Sequence, residues 1–202
     1  NYAQLALQNP EDRQLAGKAL AKIDRNSERI IRIMDSTINL VNNEARQMTS
    51  TALKPLVEGI FDSLARDFSK DNIDVNISIA DDIEVCAVPV EMQQVLMNLI
   101  LNAREAMLKD GGKLAIEAKK QPGKTVITVS DTGSGISEDI KERVFDAFFS
   151  TKQKSDSGTG NGGSGLGLSF CRKIIESYSG TITADSDGKN GTSFTLTVPD
   201  RG

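Results

Sequence analysis

The sequence predicts a two-layer α/β sandwich, a mixed sheet packed on helices, preceded by a long helical hairpin. Three observations predict it. Short alternating strand-like runs recur between residues 74 and 198, amphipathic helical patterns separate them, and residues 12–48 carry an unbroken helical seam instead. With 202 residues the chain holds one large domain or two small ones. The change of periodicity after Met48 places the division there: residues 1–48 for the hairpin, 49–202 for the sandwich. A hydrophobic share of 38% with 26% charged residues is that of an ordinary soluble globular protein.

Tyr2 to Gln8 reads as the end of a helix, and Asn9-Pro10-Glu11-Asp12 as a turn that starts the next, with acids complementing its dipole. From Asp12 to Met48 there is no Pro and one Gly, Gly17. Leu20, Ile23, Ile30, Met34, Ile38, Val41, Ala45 and Met48 recur in steps of three, four and seven, a seam that packs on partner helices. A helix of ~37 residues is ~55 Å long, so the hairpin is expected to complete its core by forming a homodimer; a long helix lying on its own domain is the alternative. Pro55–Phe68 reads as an amphipathic helix, and residues 74–80 as a strand with Val75, Ile77 and Ile79 on one face. A short strand at Glu84–Val88 precedes a helix from Pro89 to Lys109, stopped by Gly111-Gly112. Lys113–Lys120 and Thr125–Ser130 form a hairpin around Pro122-Gly123. A short helix at Glu138–Arg143, a helix at Gly165–Ser179 and strands at Thr181–Asp185 and Ser193–Val198 complete the chain.

Composition excludes several classes. A net charge of −4 and the absence of Trp argue against a nucleic-acid partner. No apolar run approaches the ~20 residues of a membrane span, and no signal peptide opens the chain. Cys86 and Cys171 read as buried free thiols, in keeping with a reducing cytoplasm. The chain opens at Asn1 within a helical pattern and without Met, so it is expected to be a fragment of something longer.

Three constellations carry chemistry. On the helix Pro89–Lys109, Gln94, Asn98, Asn102 and Glu105 share a sector of ~80° opposite an apolar face. Asn is a mediocre helix former, and an amide oxygen suits a Mg²⁺ already neutralised by phosphates; a solvated polar face is the alternative. Asp131-Thr132-Gly133-Ser134-Gly135-Ile136 follows an apolar strand. A carboxylate there can accept from an exocyclic amine, but Asp-Thr-Gly-Ser is also the tetrad of aspartic proteases, and a plain turn is a third reading. Phe145–Lys152 then leads into a polar loop with glycines at 158, 160, 162 and 163 and on to Gly163-Ser164-Gly165-Leu166-Gly167-Leu168 at a helix start. Free N–H groups at such a start bind anions, and Lys152 can meet phosphate as a point charge. A flexible linker is the alternative. The formal Gly158-x-Gly160-x-x-Gly163 match follows no strand, which rules out a dinucleotide fingerprint.

In this order and spacing the motifs resemble the catalytic domain of sensor histidine kinases, in the ATPase superfamily shared with DNA gyrase and heat-shock chaperones. The resemblance implies the Bergerat-type ATP-binding fold. Asn98–Asn102 is similar to the family's asparagine box, Asp131–Ile136 to its first glycine box, Phe145–Lys152 to its phenylalanine box, Gly163–Leu168 to its second glycine box, and Gly191–Phe194 to its motif near the adenine. It implies ATP and Mg²⁺ as cofactors, with Asn102 on the metal, Asn98 beside it, and Lys152 with the Gly163–Gly167 backbone on the phosphates. Asp131 would read the adenine, with Gly133, Gly135, Ile136, Phe148, Ser164, Gly165, Leu166, Leu168 and Thr192 lining the nucleotide site. The activity implied is transfer of the γ-phosphoryl group to a histidine, for relay to a response regulator. A related ATPase or a serine-kinase anti-sigma factor of the same fold is the alternative. The chain contains no histidine; the family's acceptor lies on the first hairpin helix, upstream of residues resembling Asn1–Gln8.

Overall fold

The computed structural model describes Asp12 and residues 14–18, 47–64, 67–149 and 165–200. The chain divides into two compact units, Asn1–Arg46 and Gln47–Gly202. In the first, residues 14–18 are helical, and the Asp12 carboxylate accepts from the Leu15 N–H at 2.9 Å, so Asp12 caps the helix start. The seam from Leu20 to Ala45 lies outside the described residues. Met48, expected as its last member, is not helical and packs against the core of the second unit.

In chain order the second unit contains β1 (Thr49–Ala52), α1 (Leu53–Ser63), β2 (Ile73–Ser78), β3 (Glu84–Ala87), α2 (Pro89–Met107), β4 (Gly112–Gln121), β5 (Lys124–Asp131), α3 (Gly167–Ser177), β6 (Thr181–Asp185) and β7 (Thr192–Pro199). The main sheet has the order β2-β4-β5-β7-β6, with β2 parallel to β4 and the other pairs antiparallel. It is therefore the mixed sheet of a two-layer sandwich. A separate antiparallel pair joins β1 to β3.

The helix layer follows from periodicity. Met92, Val95, Leu96, Leu99, Ile100, Ala103 and Met107 form the buried stripe of α2, which packs on β4 and β5. Pro89 opens α2, where its missing N–H costs nothing, and the Gly111 N–H closes it on the Met107 carbonyl at 2.8 Å. On the sheet, β5 alternates between buried and half-exposed positions along its length. Packing of α3 on β6 and β7 completes the layer.

Several expectations change. β4, β5 and β7 each run one residue further at both ends than expected, whereas β2 ends two residues sooner. The expected helix Pro55–Phe68 stops at Ser63, where the Leu64 N–H closes it on the Ile60 and Phe61 carbonyls; Asp67, which accepts from the Ser69 N–H at 2.9 Å, starts a separate 3-10 turn, Phe68–Asp71. Phe68 still reaches the core, edge-on to Phe61 with centroids 5.4 Å apart. The expected helix Glu138–Arg143 is two 3-10 turns, Glu138–Ile140 and Arg143–Phe145. β1 is new: Thr-Ser-Thr-Ala has no apolar alternation, and its pairing with β3 defines it. Both cysteines are free thiols, but only Cys171 is buried; Cys86 is half-buried. Among the described residues, no helix is long and apolar enough to cross a membrane.

Gly59 sits inside α1 with open space where a Cβ would stand. Gly59→Ala is therefore expected to raise stability by about 0.5–1 kcal/mol, measured by urea unfolding, because alanine gives up less backbone freedom on entering a helix.

Candidate functional site

The pleat of β5 decides where Asp131 points. Thr125, Ile127, Val129 and Asp131 are its buried positions, so the carboxylate shares the face that carries the core. The same alternation on β7 buries Thr192, Phe194, Leu196 and Val198, and Asp131 pairs with Thr192 across the ladder. Both polar side chains thus enter the helix-facing layer at one end of the sheet. Asp131 is 8% exposed and accepts from the Gly133 N–H at 2.8 Å. Burial pushes its carboxyl above the ordinary value, while the backbone N–H groups of Gly133 and Thr192 pull it back. Two carboxylate oxygens offer about four acceptor positions, so two backbone donors leave room for a ligand's amine.

The turn after β5 is pressed onto α2. A Cβ on Gly133 would stand 2.7 Å from the Ala106 backbone, and the Ser134 N–H donates to the Ala106 carbonyl at 3.2 Å. Ala106 lies one helical turn beyond Asn102, which lies one turn beyond Asn98. Asp131 is thereby fixed beside the end of the amide row. Asn98 and Asn102 are both half-buried. The Asn98 Oδ1 lies 3.3 Å from where a Cβ of Gly167 would stand, so this side chain faces the start of α3. Asn98 also hydrogen-bonds the Cys171 thiol, whose Sγ is 3.7 Å from the Val95 carbonyl oxygen. Burial pushes that thiol up to about 12 against the Asn98 bond, which keeps it protonated.

The other wall is the Phe-rich segment and α3. Phe145 is buried, edge-on to Phe194 of β7 at 6.2 Å, with the Arg172 guanidinium 4.2 Å from its centroid. Phe148, expected to line the nucleotide, is 78% exposed with a φ of 66°. Its N–H donates to the Gly165 carbonyl at 2.9 Å, and a Cβ on Gly165 would stand 2.5 Å from the Phe148 carbonyl carbon. Only glycine allows this approach. Among the described residues no side chain caps α3: the Ser169 hydroxyl donates back to the Leu166 carbonyl at 2.9 Å. The first N–H groups of α3, beside half-buried Leu166, Gly167 and Leu168, have the makings of an anion site. Lys152, Gly163, Ser164 and the glycines at 158, 160 and 162 lie outside the described residues.

One rim therefore carries Asn98, Asn102, Asp131, Gly133, Gly135, Ile136, Thr192 and the Gly165–Leu168 turn. Its two ends differ in chemistry: a buried acceptor at Asp131, and the first N–H groups of α3. Such a rim suits a ligand with an amine at one end and phosphates at the other. Among the described residues no group of three or more His, Cys, Asp or Glu could hold a metal. An ion at the amides would need phosphate oxygens and water to complete its shell, the mode in which Mg²⁺ is bound with nucleotides. Two contributors carry no local sequence signal. Ala106 is a small residue on α2 whose carbonyl takes the Ser134 N–H, and Ser186 is a polar residue after β6 whose hydroxyl takes the Ile136 N–H at 2.9 Å.

Residues 87–202 match the family model described as histidine kinase-, DNA gyrase B- and HSP90-like ATPase. The chain is 29% identical over 199 residues to the sensor histidine kinase ZraS of Escherichia coli (strain K12), covering 98% of this chain and 40% of that one. It thus spans less than half of that curated relative. Among solved structures, the catalytic domain of histidine kinase ThkA is 33% identical with a TM-score of 0.65, over 76% of this chain and 97% of that one. ThkA in complex with the response regulator TrrA is 26% identical with a TM-score of 0.75, over 99% of this chain and 57% of that one.

Proposed function

We propose, for a chain that belongs to the histidine kinase-, DNA gyrase B- and HSP90-like ATPase family and carries the ATP-binding catalytic domain of a sensor histidine kinase, that it binds ATP with Mg²⁺ and passes the γ-phosphoryl group to a histidine. The observation that carries this reading is the convergence of Asp131, the amide row of α2 and the uncapped start of α3 on one rim. Asp131 accepts the adenine amine, with Thr192 beside it and Gly133, Gly135 and Ile136 forming the floor. Asn102, supported by Asn98, holds the Mg²⁺ that neutralises phosphate charge when bound. The backbone of Gly163–Leu168 and the Lys152 ammonium take the β- and γ-phosphates, and Phe148 lines the nucleotide site. In the transfer, the bond from the γ-phosphorus to the β-phosphate oxygen breaks as an imidazole nitrogen bonds to phosphorus, and ADP leaves. Catalysis of this kind rests on positioning and charge stabilisation, which asks little of acid or base side chains.

Residues 1–48 are proposed to form the dimerisation hairpin and 49–202 the catalytic domain, placed in the cytoplasm. The ThkA complex with TrrA supports a response regulator as the partner that receives the phosphoryl group. Calorimetry with a non-hydrolysable ATP analogue tests the binding step, and Mg²⁺-dependent heat is the expected result. A chain that binds no nucleotide ends the proposal. With upstream residues restored, an acid-labile, base-stable phosphoprotein is expected; a hydroxyl ester would overturn transfer to histidine.

Position 98 also bears on reaction choice. An amide cannot take a proton from water, so Asn98 disfavours hydrolysis. Asn98→Glu adds a base at the same helical position and is expected to raise phosphate release from ATP in a coupled assay. Release that stays at the parent level removes this explanation.

A further inference from the structure

We propose that Ser186 is a positioning residue for adenine recognition, because its hydroxyl ties the turn after β5 to the start of β7 and so sets the aim of Asp131. This rests on the reading of Asp131 as the adenine contact. A hydroxyl offers one donor and two acceptor positions, and Ser186 uses all three. It donates to the Gly191 carbonyl at 2.5 Å and accepts from the Ile136 N–H at 2.9 Å and the Gly188 N–H at 3.2 Å. The side chain is almost wholly enclosed, at 8% exposure.

Its place in the topology gives these bonds their effect. The β5–β7 ladder ends at the Asp131–Thr192 pair. Beyond that pair the two chains diverge, Ile136 on one side and Gly191 on the other, and one oxygen binds both. The backbones are already close: a Cβ on Gly135 would stand 2.8 Å from the Lys189 nitrogen, and one on Gly191 would overlap the Asp131 carbonyl oxygen. The hydroxyl therefore fixes how far the floor of the site opens. Two of its three bonds lie within the β6–β7 turn, to Gly188 and Gly191, and the third crosses to Ile136. The turn is held as well by the Asp187 carboxylate, which accepts from the Lys189 N–H at 2.8 Å and the Asn190 N–H at 2.7 Å. With the Asn190 side chain these bonds hold the Asp187 carboxyl down to about 2. Loss of the Ser186 hydroxyl removes its bonds to Gly188 and Gly191 together with the tie to Ile136, while the Asp187 bonds and the apolar core remain.

The test compares Ser186→Ala and Ser186→Thr with the parent chain by calorimetric titration with Mg²⁺ and three probes: non-hydrolysable analogues of ATP and GTP, and inorganic triphosphate. Ser186→Ala is expected to weaken the ATP analogue about tenfold, the scale of one lost hydrogen bond, and to lower preference over the GTP analogue equally. Triphosphate affinity is expected to stay at the parent level, and Ser186→Thr, which keeps the hydroxyl, to restore adenine preference. The proposal is overturned if Ser186→Ala keeps the parent preference, if ATP and triphosphate weaken alike, if threonine fails to rescue, or if the alanine variant fails to fold. Asp131→Asn run alongside separates the two claims. Parent-level preference in both variants sinks the adenine reading, whereas loss in Asp131→Asn alone sinks only the role of Ser186.

Discussion

Asp131→Asn is expected to weaken ATP-analogue binding by about 30- to 150-fold, the equivalent of about 2–3 kcal/mol for a hydrogen bond to a charged acceptor, with no loss of stability at neutral pH. One carboxylate oxygen already accepts from the Gly133 N–H. Asparagine has a single oxygen, and if that oxygen keeps the Gly133 bond, the amide –NH₂ faces the ligand's amine, donor against donor. Stability should move the other way. Burial raises the Asp131 carboxyl, so the folded chain keeps its proton to higher pH than the unfolded chain. As pH rises from the unfolded value through the folded one, the parent loses stability, and above that window the loss is constant. Asparagine has no such loss. The melting temperature of the variant relative to the parent should therefore be higher at about pH 7 than at about pH 4. Unchanged affinity would remove Asp131 from the site, and a gap independent of pH would remove the burial argument.

Gly191→Ala is expected to cost about 4 kcal/mol, combining about 1–3 kcal/mol of backbone strain with a similar amount from overpacking. Gly191 has a φ of 105°, and an added Cβ would overlap the Asp131 carbonyl oxygen and stand 2.8 Å from the Thr132 Cα. These are backbone atoms at the end of the central strand β5 and just past it, and they cannot rotate aside. Gly123→Ala is the control. It has a φ of 76° in the β4–β5 hairpin but nothing within 4 Å of the added carbon. It is expected to cost about 1 kcal/mol, the strain alone. Urea unfolding of the three chains measures both, and equal losses would show that the close contact between β5 and β7 carries no energy of its own.

What was legible in the sequence is what depends on period. Alternation along Lys124–Asp131 and the stripe on Pro89–Met107 define the layers, and those layers place Asp131 and the two asparagines. Motif order supplied the family, because glycines and amides at these spacings serve one kind of ligand. What was not legible depends on contacts between segments. β1 owes its existence to β3 and has no apolar pattern of its own. α1 ends at Ser63 and a separate 3-10 turn capped by Asp67 follows, although the helical pattern continues to Phe68. Ala106 and Ser186 matter because a turn from elsewhere lands on them. Such landings leave no mark on local composition.

The parallel pairing of β2 with β4 has a further consequence. Parallel neighbours need a long crossover, and here α2 is part of that connection, so the helix that bears the amides also closes the sheet. The phosphate end of the site is absent until the non-local topology is complete. A nucleotide that binds only the finished site then acts as a folding ligand, adding about 2.7 kcal/mol to the whole unit at a hundred times its dissociation constant. Cellular ATP would in that way help to keep the domain folded.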